Sequence, residues 1–293
     1  MVTVNRPSRG YRAFQGVNGI VLTLVVAVTL YPFVNIIARS FSGERQIRAG
    51  QVTLWPEGFN LTTYKIVFKD DMFWRNYGNT VLYTVVSTAV AMVLTTCYAY
   101  VLSKKHLRGR TGLIGVAVFT MFFTGGLIPN YVLITSLGLK NSIWAIALPN
   151  AISVFNLLVM KAFFESMPSD LEEAAQIDGL STYGILLKVV LPLSKAVVAT
   201  MVLFYSVSFW NSWFSAFLYL DDAEKMPVTV YLRNLILGST GGANAGANTD
   251  QLSQVGANIQ AVAILLTALP ILCVYPFVQR YFVKGVMLGA VKG

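Results

Sequence analysis

The sequence is poor in nearly everything from which an enzyme site is usually assembled. It holds one histidine, two cysteines and thirteen acidic residues among 293. His106 lies in a basic run with no metal-ligating or nucleophilic partner close in sequence, which speaks against a catalytic or metal role. Cys97 and Cys273 both fall inside long apolar runs, where a thiol behaves as a small hydrophobe. They supply no disulfide framework and no information on redox compartment. No Gly-Lys pair occurs anywhere, so the chain has no Walker A phosphate loop. Charged residues make up only 12% of the chain.

What the chain has in abundance is apolar length. Hydrophobic residues make up 55% and the mean hydropathy is +0.62, far from an average soluble domain. A helix needs roughly 20 apolar residues to cross the ~30 Å hydrocarbon core. Six windows approach or exceed that length without an interior Asp, Glu, Lys or Arg: Val17 to Ala38, Thr80 to Ser103, Leu113 to Leu139, Ile143 to Met160, Ala196 to Leu220 and Ile259 to Gln279. They predict an all-helical membrane protein with six transmembrane helices in one domain covering 1–293, leaving no room for a separate soluble domain. Arg6, Arg9 and Arg12 precede the first window as they would a secretory signal. That window exceeds the roughly 7 to 15 residues of a signal core, and Tyr31-Pro32-Phe33 stands where a small-residue cleavage site would be, so it reads as a retained helix. The lack of ionisable residues in the windows argues against an ion-coupled secondary transporter, which keeps such groups near the bilayer middle. An intramembrane enzyme would need a buried nucleophile, metal ligand or acid pair, and the windows offer none.

The net charge of +9 comes from cations in short segments beside apolar windows, a placement that fits the positive-inside rule rather than nucleic-acid binding. Arg6, Arg9 and Arg12, then Lys104, Lys105, Arg108 and Arg110, then Arg280, Lys284 and Lys292 fall on one side, which the rule makes the cytoplasm. Both termini are then cytoplasmic. The outer side receives Phe41 to Asn79, the turn at Lys140 to Ser142, and Asp221 to Asn258; the first of these is near neutral. Within the last, the tract Gly241 to Asn248 cannot bury enough apolar surface to fold alone, and reads either as a slack linker or as a finger ordered by a partner.

Between the fourth and fifth windows lies a polar elbow, Pro168 to Lys195, on the predicted cytoplasmic side. Pro168 ends the incoming helix, and Ser169 or Asp170 is placed to cap a new one, with Glu172 or Glu173 completing a capping box. Gly179 closes that helix in a left-handed conformation, and Ser181 opens a second that runs to Val190 ahead of Leu191-Pro192. Leu171, Ala174, Ala175 and Asp178 share a face by their spacing, made flat by the alanines. The chemistry alone leaves two readings open: an ordinary capped interfacial helix, or a helix laid in a groove of another protein with a carboxylate free for a partner cation.

The order Glu173-Ala174-Ala175, three residues, Gly179, nine residues, Val189, one residue, Leu191-Pro192 resembles the EAA loop of bacterial ATP-binding-cassette import permeases, with Val189 where that pattern more often has Ile. Asp178 before Gly179 is similar to the sugar-importing, maltose-type branch. Phe123-Thr124-Gly125-Gly126-Leu127-Ile128-Pro129-Asn130-Tyr131 resembles a hallmark of the oligosaccharide and aldouronate permeases, the second of two dissimilar membrane subunits, a group that includes the alginate importer of Gram-negative bacteria. Tyr31-Pro32-Phe33 and the tail Gly289 to Gly293 fit the same subunit type.

The resemblance implies a type I importer permease fold in the bacterial inner membrane, working beside a dissimilar permease subunit, two ATPase subunits and an extracytoplasmic solute-binding protein. Glu172, Glu173, Ala174, Ala175, Asp178, Gly179, Leu191 and Pro192 would form the ATPase-coupling segment. The chain would be no enzyme and hold no cofactor; ATP and Mg would bind the partner ATPases. The implied cargo is an oligosaccharide, uronate-containing chains such as alginate or aldouronate among the candidates, with a peptide or amino acid as the alternative. The polar residues Ser208, Asn211, Ser212 and Ser215 with Trp210 and Trp213 on the fifth window, and Asn150, Ser153 and Asn156 on the fourth, suit a carbohydrate path. They equally suit the polar glue that joins membrane helices.

Overall fold

The structure, a computed structural model, describes residues 9–239 and 258–285. Every described element is a helix or a helical turn. The Gly241 to Asn248 tract and the Gly289 to Gly293 tail lie outside the described residues. The chain divides into two compact units: Met1–Asp70 with Arg233–Ala268, and Asp71–Leu232 with Leu269–Gly293.

In the first unit, α1 (Arg9–Ser40) runs unbroken for 32 residues. At 1.5 Å per residue that is about 48 Å, longer than the hydrocarbon core requires. Its apolar side chains are exposed along most of the length, and burial begins only near Ala38 and Ser40. The segment expected as a plain outer loop is instead folded, through α2 (Glu44–Arg48) and α3 (Thr62–Lys69). Phe41 stacks on Phe59 and Tyr64 at ring-centroid distances of 6.0 and 5.3 Å. Asn258 accepts from the Thr63 hydroxyl at 2.5 Å and donates to the Ser40 and Ser42 carbonyls at 3.2 and 3.4 Å. The local hydropathy of residues 41–70 is too low to announce this packing, which depends on a partner almost two hundred positions away.

The second unit is built around α4 (Asp71–Ser103), which starts well ahead of its apolar window. Its buried face, including Thr80, Ser87, Ala91, Thr95 and Ala99, is made of small residues that let neighbouring backbones come close. Against it pack α8 (Val154–Glu165) and α12 (Lys195–Trp210). The third window is no straight span: α5 (Arg110–Phe122) and α6 (Leu127–Ser136) meet at 114°. Gly126 at φ 87°, ψ 175° makes the break, a conformation strained for any L side chain. The fourth window is likewise split into α7 (Trp144–Ala147) and α8, around Pro149. The fifth is split at Asn211 and Ser212 into α12 and α13 (Trp213–Tyr219).

Two helices, Gly10–Ser40 and Asp71–Ser103, are by themselves long and apolar enough to cross a membrane. The bent pairs Arg110–Phe122 with Leu127–Ser136, and Thr182–Leu193 with Lys195–Trp210, raise the number to four if each is one span. By length and composition, the described helices therefore give two to four spans against the six windows of the sequence. The remaining apolar helices are α14 (Val228–Ser239) and α15 (Ile259–Gly285).

Candidate functional site

The elbow comprises α9 (Asp170–Ile177), α10 (Thr182–Ile185), a π turn (Leu186–Val190) and α11 (Leu191–Leu193). Its C-terminal signal forms as expected. Gly179 has φ +81°, its N–H donates to the Gln176 carbonyl at 3.0 Å, and the Leu180 N–H donates to the Ala175 carbonyl at 3.0 Å. That pair of bonds is the Schellman closure, which satisfies carbonyls a helix end otherwise leaves open. Ser181 caps α10, its hydroxyl accepting from the Gly184 N–H at 3.3 Å. The π turn follows from Pro192, which has no N–H and whose ring crowds the carbonyl one turn back. The chain widens to accommodate it, and the Leu191 N–H reaches the Leu186 carbonyl five residues earlier.

Two expectations for α9 are corrected. The capping box does not form: Ser169 has helical backbone angles and no capping bond, its hydroxyl donates to Asp170, and the Glu172 carboxylate turns away to the Lys104 ammonium. Nor do Leu171, Ala174, Ala175 and Asp178 make one outward face. Ala175 is only 6% exposed and joins a core with Leu102, Leu157, Met160, Ile185 and Val190, while Leu171, Ala174 and Asp178 remain exposed. A helix docked by one turn of small residues must spend one of them on its own body.

Glu173 is exposed, and its carboxylate has no partner among the described residues. Ile177, one turn further along the same helix, is 87% exposed, and elsewhere on the elbow Tyr183 and Leu187 are 78% and 62% exposed. For Ile177, its place between Gln176 and Asp178 was the available signal. The inner side of the elbow carries cations that the charge count had credited only to orientation. Lys104 pairs with Glu172, and its ammonium lies 3.9 Å from the Tyr100 ring centroid. Arg110 pairs with Glu165, and its Nε donates to the Leu102 carbonyl at 2.7 Å. Lys161, just past the fourth window, meets Glu165 at 2.8 Å; burial first, then the Arg110 guanidinium, push it below the ordinary lysine range.

The two polar stripes expected on the fourth and fifth windows do not lie on continuous helix faces, because both windows are broken where the stripes would run. Asn150 is exposed in the connection after α7, Ser153 is the N-cap of α8, and Asn156, whose N–H the Ser153 hydroxyl accepts at 3.4 Å, is buried. On the other window Ser208 is exposed in α12, and the Asn211 amide donates back to the Val207 carbonyl at 2.9 Å. Ser212 and Ser215 are half-buried. Trp210 is buried edge-on to Tyr77, with centroids 5.8 Å apart, whereas Trp213 is exposed beside Phe214 and Phe217. A hub unseen in the sequence is Tyr205. Its hydroxyl accepts from the Ser153 N–H at 2.9 Å and shares a 2.6 Å bond with Thr95, joining α12, α8 and α4.

At the other end of α4, Asn79 donates to the Glu224 and Met226 carbonyls at 2.6 and 3.2 Å, Tyr83 donates to the Lys225 carbonyl at 2.7 Å, and the Val228 N–H donates to the Thr80 hydroxyl at 2.8 Å. Lys140 meets Asp221 at 3.0 Å, and this contact first, then Tyr131, raises its proton affinity above the ordinary lysine value.

Comparison with known proteins places this architecture. Residues 80–288 match the family model described as binding-protein-dependent transport system inner membrane component. Protein LplC of Bacillus subtilis (strain 168) is 42% identical over 282 residues, covering 96% of each chain. The polygalacturonan/rhamnogalacturonan transport system permease protein YtcP of the same organism is 40% identical over 93% of this chain and 96% of its own. A chain in the crystal structure of a bacterial ABC transporter involved in the import of the acidic polysaccharide alginate superposes with a TM-score of 0.84 at 33% identity, covering 94% of this chain and 98% of that one. The chain belongs to the family of inner membrane components of binding-protein-dependent transport systems.

Proposed function

We propose that this chain is a permease subunit of an ATP-driven sugar importer of the inner membrane, and that it moves an oligosaccharide by alternating access. The observation that carries the reading is the two-faced character of α9. Ala175 and Glu172 fasten it to its own unit, while Glu173, Ala174 and Ile177 face outward beside a glycine-closed end. A helix so built suits the cleft of an ATPase subunit, with Glu173 for a cation and Ile177 for an apolar pocket. Ala174, Asp178, Gly179, Leu191 and Pro192 shape the same segment.

In this reading residues 1–293 form one permease domain with six spans and cytoplasmic termini, and the windows that break are spans with interruptions. The partners are a dissimilar permease, two ATPase subunits that bind ATP and Mg, and a solute-binding protein at the outer face. The exposed aromatics of α13 and the polar groups near the breaks, Asn150, Ser153, Ser208, Asn211, Ser212 and Ser215, line the path, while the buried Trp210 and Asn156 brace it. Uronate-containing cargo is favoured because YtcP is named for polygalacturonan and rhamnogalacturonan, and the structural neighbour imports alginate. No cation lies in the apolar windows, so those that neutralise an acidic sugar come from loops or partner subunits.

The test is reconstitution of the assembly in proteoliposomes with its binding protein. Uptake of acidic oligosaccharides should require nucleotide hydrolysis, and Glu173→Ala should reduce ATPase stimulation by the loaded binding protein at least about tenfold, as expected for removing a central charged anchor. Uptake driven by an ion gradient alone would refute the assignment.

A further inference from the structure

The four cations at 104–110 are sufficient to satisfy the positive-inside rule by number alone. Their placement asks for a second explanation. Lys105 and Arg108 are exposed, with no carboxylate partner among the described residues, but Lys104 and Arg110 are half-buried and each is matched to an acid from a different helix. Lys104 is the residue directly after α4 and meets Glu172 of α9; Arg110 opens α5 and meets Glu165 at the end of α8. The two pairs bracket the α4–α5 connection. Tyr100, under the Lys104 ammonium, also meets Phe164 of α8 edge-on at 6.3 Å, and Arg110 is fixed to the end of α4 through the Leu102 carbonyl.

A helix of eight residues has little stability of its own, so the direction in which α9 points is set by its anchors. One is the single small side chain of Ala175 in the core. The other is Glu172, which the packing of α9 could have left in water, as it leaves Glu173. A half-buried ion pair that loses one partner leaves a charge in a site that solvates it poorly, so such a pair is more demanding than its surface counterpart.

Resting on the proposed function, we infer that the α4–α5 connection is a clasp: Lys104–Glu172 fastens the ATPase-facing helix to the end of α4, and Arg110, bound to Glu165 and to the Leu102 carbonyl, ties that end to α5 and α8, so that a push on α9 turns those helices together. Glu172 and Glu173, adjacent in sequence, then have separate tasks. Glu173 meets the partner, and Glu172 holds the lever to its own chain. Lys104 and Glu172 are positioning residues, acting through the placement of α9.

The experiment compares Lys104→Gln, Glu172→Gln, the double variant and Lys104→Arg in the reconstituted assembly, with uptake and hydrolysis measured on complexes of equal subunit content. The readout is the number of nucleotides hydrolysed per solute imported. Each single neutral variant should raise that ratio at least about fivefold, the lower end of ordinary coupling between sites. The double variant should be no worse than either single, because one pair is lost only once. Lys104→Arg, which keeps the charge, should stay near the unaltered protein. An unchanged ratio, or single effects that multiply in the double variant, overturns the clasp, as does a lower yield of assembled complexes whose ratio is normal. If the unaltered assembly already imports without hydrolysis, the proposed function falls and the clasp falls with it; tight coupling in the unaltered assembly and in both singles sinks the clasp alone.

Discussion

Gly179 offers a quantitative test of the elbow, because its environment separates backbone strain from steric collision. A side chain added there would meet nothing within 4 Å, while the backbone stands at φ +81°. The left-handed conformation is unfavourable for an ordinary L-residue by about 1–2 kcal/mol. Replacing glycine also narrows the unfolded ensemble, which returns about 0.4–1 kcal/mol. Gly179→Ala should therefore destabilise the α9 terminus by about 1 kcal/mol, or roughly fivefold in local opening. Gly179→Asn should come close to glycine, since Asn tolerates this region, and Gly179→Val should be worst because a β-branched residue is an outlier there. The opening breaks the Leu180 N–H bond to the Ala175 carbonyl, so hydrogen exchange at the Leu180 amide in the purified chain is the direct assay. The order glycine, asparagine, alanine, valine in falling protection is the expected result. Equal protection in the asparagine and valine variants would refute the reasoning, because both would then be governed by something other than φ.

Ile185 is 2% exposed in the core beneath the elbow, so Ile185→Ala should lower stability by about 2–4 kcal/mol in thermal unfolding, whereas Ile177→Ala should leave stability within about 0.5 kcal/mol and weaken binding of the ATPase subunits. Tyr205→Phe leaves the Ser153 N–H without its acceptor and removes the bond to Thr95. A loss of about 1–2 kcal/mol should follow, measured as a lower unfolding midpoint in detergent, with Phe209→Leu nearby as the packing control.

Much of the elbow was legible because its signals are local. A glycine at a helix end and a serine three residues before an N–H it can accept from act over a turn or less, and Gly179 and Ser181 behave as their chemistry dictates; Pro192, expected to follow the helix end at Val190, is instead taken into the helix through the π turn, and the bend falls at Ser194. Helical content was legible for the same reason, since apolar length in the absence of charge constrains the backbone to satisfy itself. What the sequence hid is pairwise and distant. Lys104 and Glu172 are 68 positions apart, and nothing at either position names the other. With Glu172 drawn to Lys104, the capping box lost its acid, and with Ala175 needed for the core, the flat face lost one alanine. The broken windows were missed because a count of apolar residues measures composition along the chain and is blind to direction. Gly125-Gly126, Pro149 and Asn211-Ser212 were the available cues, and each interrupts a run whose average hydropathy remains high.

Those interruptions constrain what surrounds the second unit. The break between α5 and α6 falls at the centre of its apolar window, where a spanning segment would meet the bilayer interior. There the N–H groups of Thr124, Gly125 and Gly126 have no acceptor among the described residues, and all three residues are exposed. In hydrocarbon each orphan donor is unfavourable by several kcal/mol, which is why non-helical backbone at membrane depth occurs only where protein covers it or water reaches it. Three such donors together would outweigh the favourable burial of neighbouring Phe122 or Ile128 in lipid, each worth about 1.5–3 kcal/mol. The face of the second unit that carries the break must therefore turn away from lipid, toward another subunit or a water-filled path. α1 is apolar, exposed along most of its length and helical throughout, interrupted only by the missing N–H of Pro32, and is the kind of helix that lipid tolerates along its exposed length. The distribution of broken and unbroken helices thus separates surfaces that lipid can cover from surfaces that other protein or water must cover, and it does so from backbone hydrogen bonding.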